Sequence, residues 1–155
     1  MQRDVKTERK QHKRAINEMR FQFPSLSVNE SVARGAVAAF CAQLDPSATE
    51  IADVKCAVSE AVTNSIVHAY RESIGIIYIK VQIYEENKVK IEIKDKGCGI
   101  EDVSAAMQPL YTTDAENERS GMGFTVMESF CDSIKVRSRV GKGTSVTLIK
   151  CFEGR

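Results

Sequence analysis

The sequence predicts an α+β two-layer sandwich: a mixed, mostly antiparallel sheet with helices on one face. Three observations predict it. Two stretches of helical apolar period, 27–44 and 47–70, stand together near the N-terminus. Two pairs of alternating apolar runs come later, each pair joined by a short turn. The strands are grouped as hairpins apart from the helices, without the regular βαβ alternation of a doubly wound sheet.

Each element has a local cause. Arg20-Phe-Gln-Phe23 alternates as a strand and Pro24 ends it. Ser27 with Glu30 three residues on reads as a capping box for the first helix, whose apolar positions include Val32, Ala36, Val37 and Phe40. Asp45-Pro46-Ser47 is a turn, and Ser47 or Thr49 caps the second helix, which runs to about Tyr70. The odd positions of Ile77–Ile83 and Val89–Ile93 are apolar, with Glu85–Lys88 as the hairpin turn between the two strands. Gly97-Cys-Gly99 breaks the second strand, and Glu101–Met107 reads as a short helix. Residues 108–120 lack periodicity and read as a long loop. Gly121-Met-Gly123 opens a helix through Phe130, and a last hairpin, Ser133–Val140 and Ser145–Cys151, turns at Gly141-Lys-Gly143.

Composition bounds the function classes. A chain of 155 residues with 43% apolar and 28% charged residues is an ordinary globular domain. No apolar run approaches the roughly 20 residues of a membrane helix, and the N-terminus lacks the hydrophobic centre of a secretory signal. Five scattered cysteines without CxxC spacing read as reduced thiols of the cytoplasm. Residues 1–20 hold seven Lys and Arg against three Asp and Glu, a surplus of four, so the other 135 residues net −3. We therefore divide the chain into a basic, disordered extension, 1–18, and a domain, 19–155. Met19 offers an alternative start within the basic stretch. A basic tail on a mildly acidic body argues against direct nucleic-acid binding.

The residues that carry chemistry fall in four groups. Glu60, Asn64 and His68 recur every four residues beside the apolar stripe of the second helix, on the border between core and solvent. Asp95 continues the inward register of Val89, Ile91 and Ile93. A buried carboxylate needs hydrogen bonds, and beside Gly97 and Gly99 it suits a flat heterocycle with an exocyclic amino group. A turn-initiating Asp-x-Gly explains the same residues. Ser120-Gly-Met-Gly-Phe124 leads into a helix N-terminus, a favourable place for an anion, and Thr112, Thr113 and Arg119 precede it with hydroxyls and a guanidinium. Gly141-Lys-Gly-Thr144 can add to the site but is more simply a hairpin turn. An amide oxygen at Asn64 suits Mg²⁺, a carboxylate one turn away can orient or deprotonate a nucleophile, and His68 reads as a packing or hydrogen-bonding residue. Neither GxxxxGK[ST] nor GxGxxG occurs, and HRD, DFG and VAIK are missing.

The order Glu60-x-x-x-Asn64, Asp95-x-Gly97-x-Gly99, Gly121-x-Gly123, Gly143-Thr144 resembles the ATP-binding fold shared by DNA gyrase B, Hsp90, histidine kinases and MutL. The runs FPSLSVNESVAR (23–34), VSEAVTNSIVHAY (58–70), QPLYTT (108–113) and ERSGMGFTVME (118–128) resemble the sporulation anti-sigma F factors of endospore-forming Firmicutes, over about residues 19–150. The resemblance implies ATP or ADP with Mg²⁺ as cofactors, a sporulation sigma factor and an anti-anti-sigma protein as partners, a homodimer and no membrane. It implies Asn64 as the Mg²⁺ ligand, Glu60 as general base toward a serine, and Asp95 with Gly97, Gly99 and Thr144 around the adenine. Thr112, Thr113, Arg119, Ser120, Gly121, Met122 and Gly123 would form the lid and phosphate cradle, with Arg119 steadying transferring charge. Glu30 and Arg34 would meet the sigma factor. Two departures stand out: Ala69 replaces a usual Gly, and Asp114–Asn117 replaces Lys-Pro-Glu-Leu in the lid. The alternative activity is a non-catalytic, nucleotide-gated sigma-binding module.

Overall fold

The structure, a computed structural model, describes residues 13–108 and 123–154. Five strands form one sheet: β1 (Asn17–Pro24), β2 (Ile76–Tyr84), β3 (Lys88–Lys94), β4 (Ser133–Arg139) and β5 (Gly143–Cys151). Their order is β1-β2-β3-β5-β4, and all four pairings are antiparallel. Among the described residues the α-helices are α1 (Asn29–Cys41), α2 (Ala48–Asn64), α3 (Val103–Ala106) and α4 (Gly123–Phe130). The α+β sandwich read from the sequence is the observed fold.

Alternation places the core. Ile77, Ile79, Val81 and Ile83 of β2, with Val89, Ile91 and Ile93 of β3, turn one way and are buried. Val54, Ala57, Val58, Ala61 and Val62 of α2 meet them. The turn between β2 and β3 has Glu86 and Asn87 at φ 63° and 57°, the pair of left-handed residues that fits the twist of a two-stranded ribbon.

Helix α1 departs from expectation at both ends of its logic. No side chain caps it, and its N-cap is Val28. The Glu30 carboxylate instead receives Arg34 Nη1 at 2.8 and 3.0 Å, an i,i+4 pair that outcompetes a reach back to Ser27. The buried stripe is Ala33, Val37, Ala38 and Cys41, while Val32 is exposed. Ala33, Val37 and Cys41 recur every four residues on the buried face, and α1 packs against α2.

Helix α2 starts as its sequence says. Ser47 Oγ accepts from Glu50 N at 3.2 Å and Glu50 Oε2 accepts from Ser47 N at 2.9 Å, a complete capping box. The other Glu50 oxygen accepts from Glu153 N at 2.6 Å, tying the C-terminal segment to the same helix end. At Asn64 the helix widens into a π turn, Ser65–Ala69.

Replacing Ser47 with Ala is expected to cost about 1 kcal/mol in urea denaturation. Backbone hydrogen bonding from Ser47 holds the Glu50 carboxyl below its ordinary value of 4.5. A lowered folded-state value means stability present above that ordinary value and lost as pH falls through the folded one. Glu50→Gln should therefore be less stable than wild type at neutral pH, with the two denaturation midpoints converging as pH drops below 4.5.

Candidate functional site

Where β3 ends, the chain passes Asp95 into a cavity of about 290 Å³ between α2, its π turn, the 95–100 loop, α4 and β5. Asp95 is 4% exposed. Its Oδ1 accepts from Gly97 N at 3.0 Å and from Thr144 N at 3.1 Å, and its Oδ2 accepts from Ser65 Oγ at 3.0 Å. Asp95 makes the Asp-x-Gly turn and is at the same time a buried, inward acceptor. A carboxylate has about four lone-pair sites. Three are used by neutral donors, and one remains at Oδ2 on a residue that lines the cavity.

The backbone closes tightly round this carboxylate. A Cβ on Gly97 would collide with the Ala69 carbonyl, and one on Gly143, at φ 118°, would collide with the Asp95 carbonyl. Asp95 N donates to Thr144 O at 2.9 Å, so the loop and the start of β5 are joined. Thr144 Oγ1 lies 2.8 Å from Ser138 Oγ, which accepts from Ile100 N at 2.7 Å. Tyr70 buttresses the site from behind. Its hydroxyl accepts from Lys96 N and donates to Ile76 O, both at 2.7 Å. Burial is the main cause pushing its phenol above its ordinary value.

The walls combine apolar groups, among them Ala61, Ile100, Phe124 and Val146, with the polar side chains of Asn64 and His68. Gly123, the first described residue of α4, would carry a Cβ 3.1 Å from Asn64 Nδ2. Its hydrogen lets the helix N-terminus sit against the Asn64 amide. Helix N–H groups and a neutral amide oxygen together favour an anion with its cation.

The Glu60–Asn64–His68 row does not share one cavity. Asn64 and His68 line the cavity of Asp95, whereas Glu60 lines a neighbouring groove with Glu30, Arg34, Ser59, Val126 and Phe130. Residues four apart on an α-helix drift by about 40° per step, which carries Glu60 round toward α1. His68 also contributes its carbonyl, accepting from Cys98 Sγ at 3.3 Å.

Gly99, Gly123 and Thr144 line the Asp95 cavity, Gly97 joins it only through its N–H to Asp95, and Glu30 and Arg34 gather with Glu60 instead. Thr112, Thr113, Arg119, Ser120, Gly121, Met122 and the altered stretch 114–117 lie outside the described residues. Sequence reasoning missed Ser65 and Ser138. Ser65 lies on the buried stripe of α2, four residues after Ala61 and three after Val62, which points its hydroxyl at Asp95, and Ser138 was hidden in a strand of ordinary alternation.

A sequence profile of the histidine kinase-like ATPase domain matches residues 23–150. The anti-sigma F factor of Caldanaerobacter subterraneus subsp. tengcongensis is 60% identical over 134 residues, 86% of this chain and 93% of that one. Those of Thermoanaerobacter sp. (strain X514), over the same shares, and Priestia megaterium, over 86% and 92%, are 59% and 52% identical. Among solved structures, the RsbU and RsbW domains of Rv1364c from Mycobacterium tuberculosis superpose with a TM-score of 0.65 at 17% identity, covering 88% of this chain and 32% of that one. That likeness is one of fold. The chain belongs to the anti-sigma F factor family, built on a histidine kinase-like ATPase domain.

Proposed function

We propose that this chain binds and inhibits a sporulation sigma factor and, with Mg-ATP, phosphorylates a serine of its anti-anti-sigma antagonist. The observation that carries the nucleotide reading is Asp95: a buried carboxylate held by three neutral donors, with acceptor capacity left, in a cavity that also holds Asn64 and the start of α4. The spare Asp95 oxygen accepts from the adenine amino group, and Thr144 braces the same carboxylate. Gly97 and Gly99 keep the backbone wall thin. The α4 N-terminus and Asn64 take the phosphate end. Among the described residues no cluster of three or more His, Cys, Asp or Glu could hold a metal ion. The amide oxygen of Asn64 fits Mg²⁺, which keeps water and phosphate oxygens as most of its ligands. Bound Mg-ATP supplies the phosphoryl group and neutralises the charge that builds on it.

Glu60 is the base in this reading. It removes the proton of the incoming serine hydroxyl, and Arg119 balances charge on the transferring group. Support comes from Glu60 sharing a groove with Glu30 and Arg34, the residues assigned to partner docking. The family resemblance supplies the homodimer and the cytoplasmic setting. A second reading, a nucleotide-gated binder without catalysis, is favoured by one observation: Glu60 does not line the Asp95 cavity.

Single-turnover transfer from labelled ATP to the purified antagonist separates the two. We expect Glu60→Gln to slow transfer by about 10²–10⁴-fold, with nucleotide affinity kept. Transfer as fast as wild type removes Glu60 as base, and no transfer by wild type leaves the gated binder. Asp95→Asn should weaken a fluorescent ATP analogue by about 10–100-fold, the range for losing a hydrogen bond to a charged group. Unchanged affinity would place the adenine elsewhere. A sigma-factor pulldown should differ between ATP and ADP, and indifference to nucleotide would end the switch.

A further inference from the structure

The helices cover one face of the sheet, and the other face is strongly cationic. Strand alternation puts Lys88, Lys90 and Lys94 of β3 on that face. It puts Lys135, Arg137 and Arg139 of β4 there, all exposed. Lys80 of β2 and Arg20 of β1 lie on it too, directly opposite one another. Among the described strand residues of this face, only Glu18 and Glu92 oppose them. Eight Lys and Arg thus share a face with two Asp and Glu among the described strand residues. Among the described residues, only Arg20 of the eight has a carboxylate partner, Glu18 at 2.5 Å.

Folding does not explain the arrangement. Like charges directly opposed across strands destabilise a sheet, as Arg20 and Lys80 are. A second copy of the chain laid face to face would oppose cation to cation. A protein or membrane partner needs apolar anchors, and the outward positions of β5 offer Ile149 beside Ser145 and Thr147. The tyrosines of this face are shielded: Lys96 Nζ lies 5.2 Å over Tyr78 and Lys88 Nζ 5.9 Å over Tyr84. They present cations more than open rings for base stacking. Lys135, Arg137 and Arg139 recur every second residue, about 7 Å apart, and Arg137 shares a cross-strand row with Lys94 through Ser145.

We propose that the open face of the sheet binds the phosphate backbone of nucleic acid, without sequence preference and independently of the Asp95 cavity on the opposite side. The averaged negative charge of the body hides this face, because its carboxylates lie mostly elsewhere.

The test is fluorescence anisotropy of labelled duplex DNA and labelled single-stranded RNA with the full chain, across a salt series. Binding should weaken linearly in log–log form with salt. The triple variant Lys90→Gln, Lys94→Gln, Arg137→Gln should lose about tenfold or more in affinity and reduce the salt slope by about three. Its circular dichroism melt should match wild type. A deletion of residues 1–12 should retain the slope difference between wild-type face and triple variant. No binding at low salt overturns the proposal. So does a triple variant that folds and binds like wild type, or binding that disappears with residues 1–12 alone. Preference for phosphatidylserine vesicles or polyglutamate over both nucleic acids, with equal loss in the triple variant, assigns the face to another partner and also overturns it.

Discussion

The desolvated carboxylate of Asp95 is the constraint around which this molecule is arranged. An unpaired carboxylate in the core costs several kcal/mol, so the fold brings three donors to it from separate places: Ser65 from the end of α2, Gly97 from its own loop and Thr144 from the start of β5. None is a cation. The group keeps its acceptor strength, where an arginine would have consumed it. Close approach of Gly97 and Gly143 follows from the same need, since any side chain there would force the loop or β5 away.

Helix α2 links this carboxylate to the rest of the site. Its capping box sets where the helix begins, and its buried stripe sets its roll on the sheet. The same stripe points Ser65 at Asp95, and the π turn that follows carries His68, which lines the cavity. Such widened turns are found disproportionately at functional sites. Phase also separates Glu60 from Asn64, so one helix edge serves two concavities. In our reading one holds nucleotide and the other receives a protein partner.

The sheet divides the labour further. Inward residues build the core and end at Asp95, while outward residues of the same strands carry the cations. A period of two makes this possible, because each strand writes two independent faces. Two thiols take no part: burial pushes buried Cys41 up to about 12 and half-buried Cys131 to about 11, which keeps both as thiols at neutral pH.

Much of this was legible in the sequence. Strand alternation, the Ser47–Glu50 box and the helical stripe at 54, 57, 58, 61 and 62 depend on neighbours in the chain, and so did the inward register of Asp95. The first helix was misread at its cap because Glu30 had two local partners, and only the folded geometry chose Arg34. The cationic face was present in the alternate residues of β3 and β4, yet net charge summed over the body erased it. The sequence by itself determined the family, the order of elements and which residues could be chemical, since these rest on local period and motif. Tertiary structure alone decided who satisfies Asp95, which cavity Glu60 enters and where the cations collect. Those depend on residues 30 to 49 positions apart meeting across the sheet and π turn.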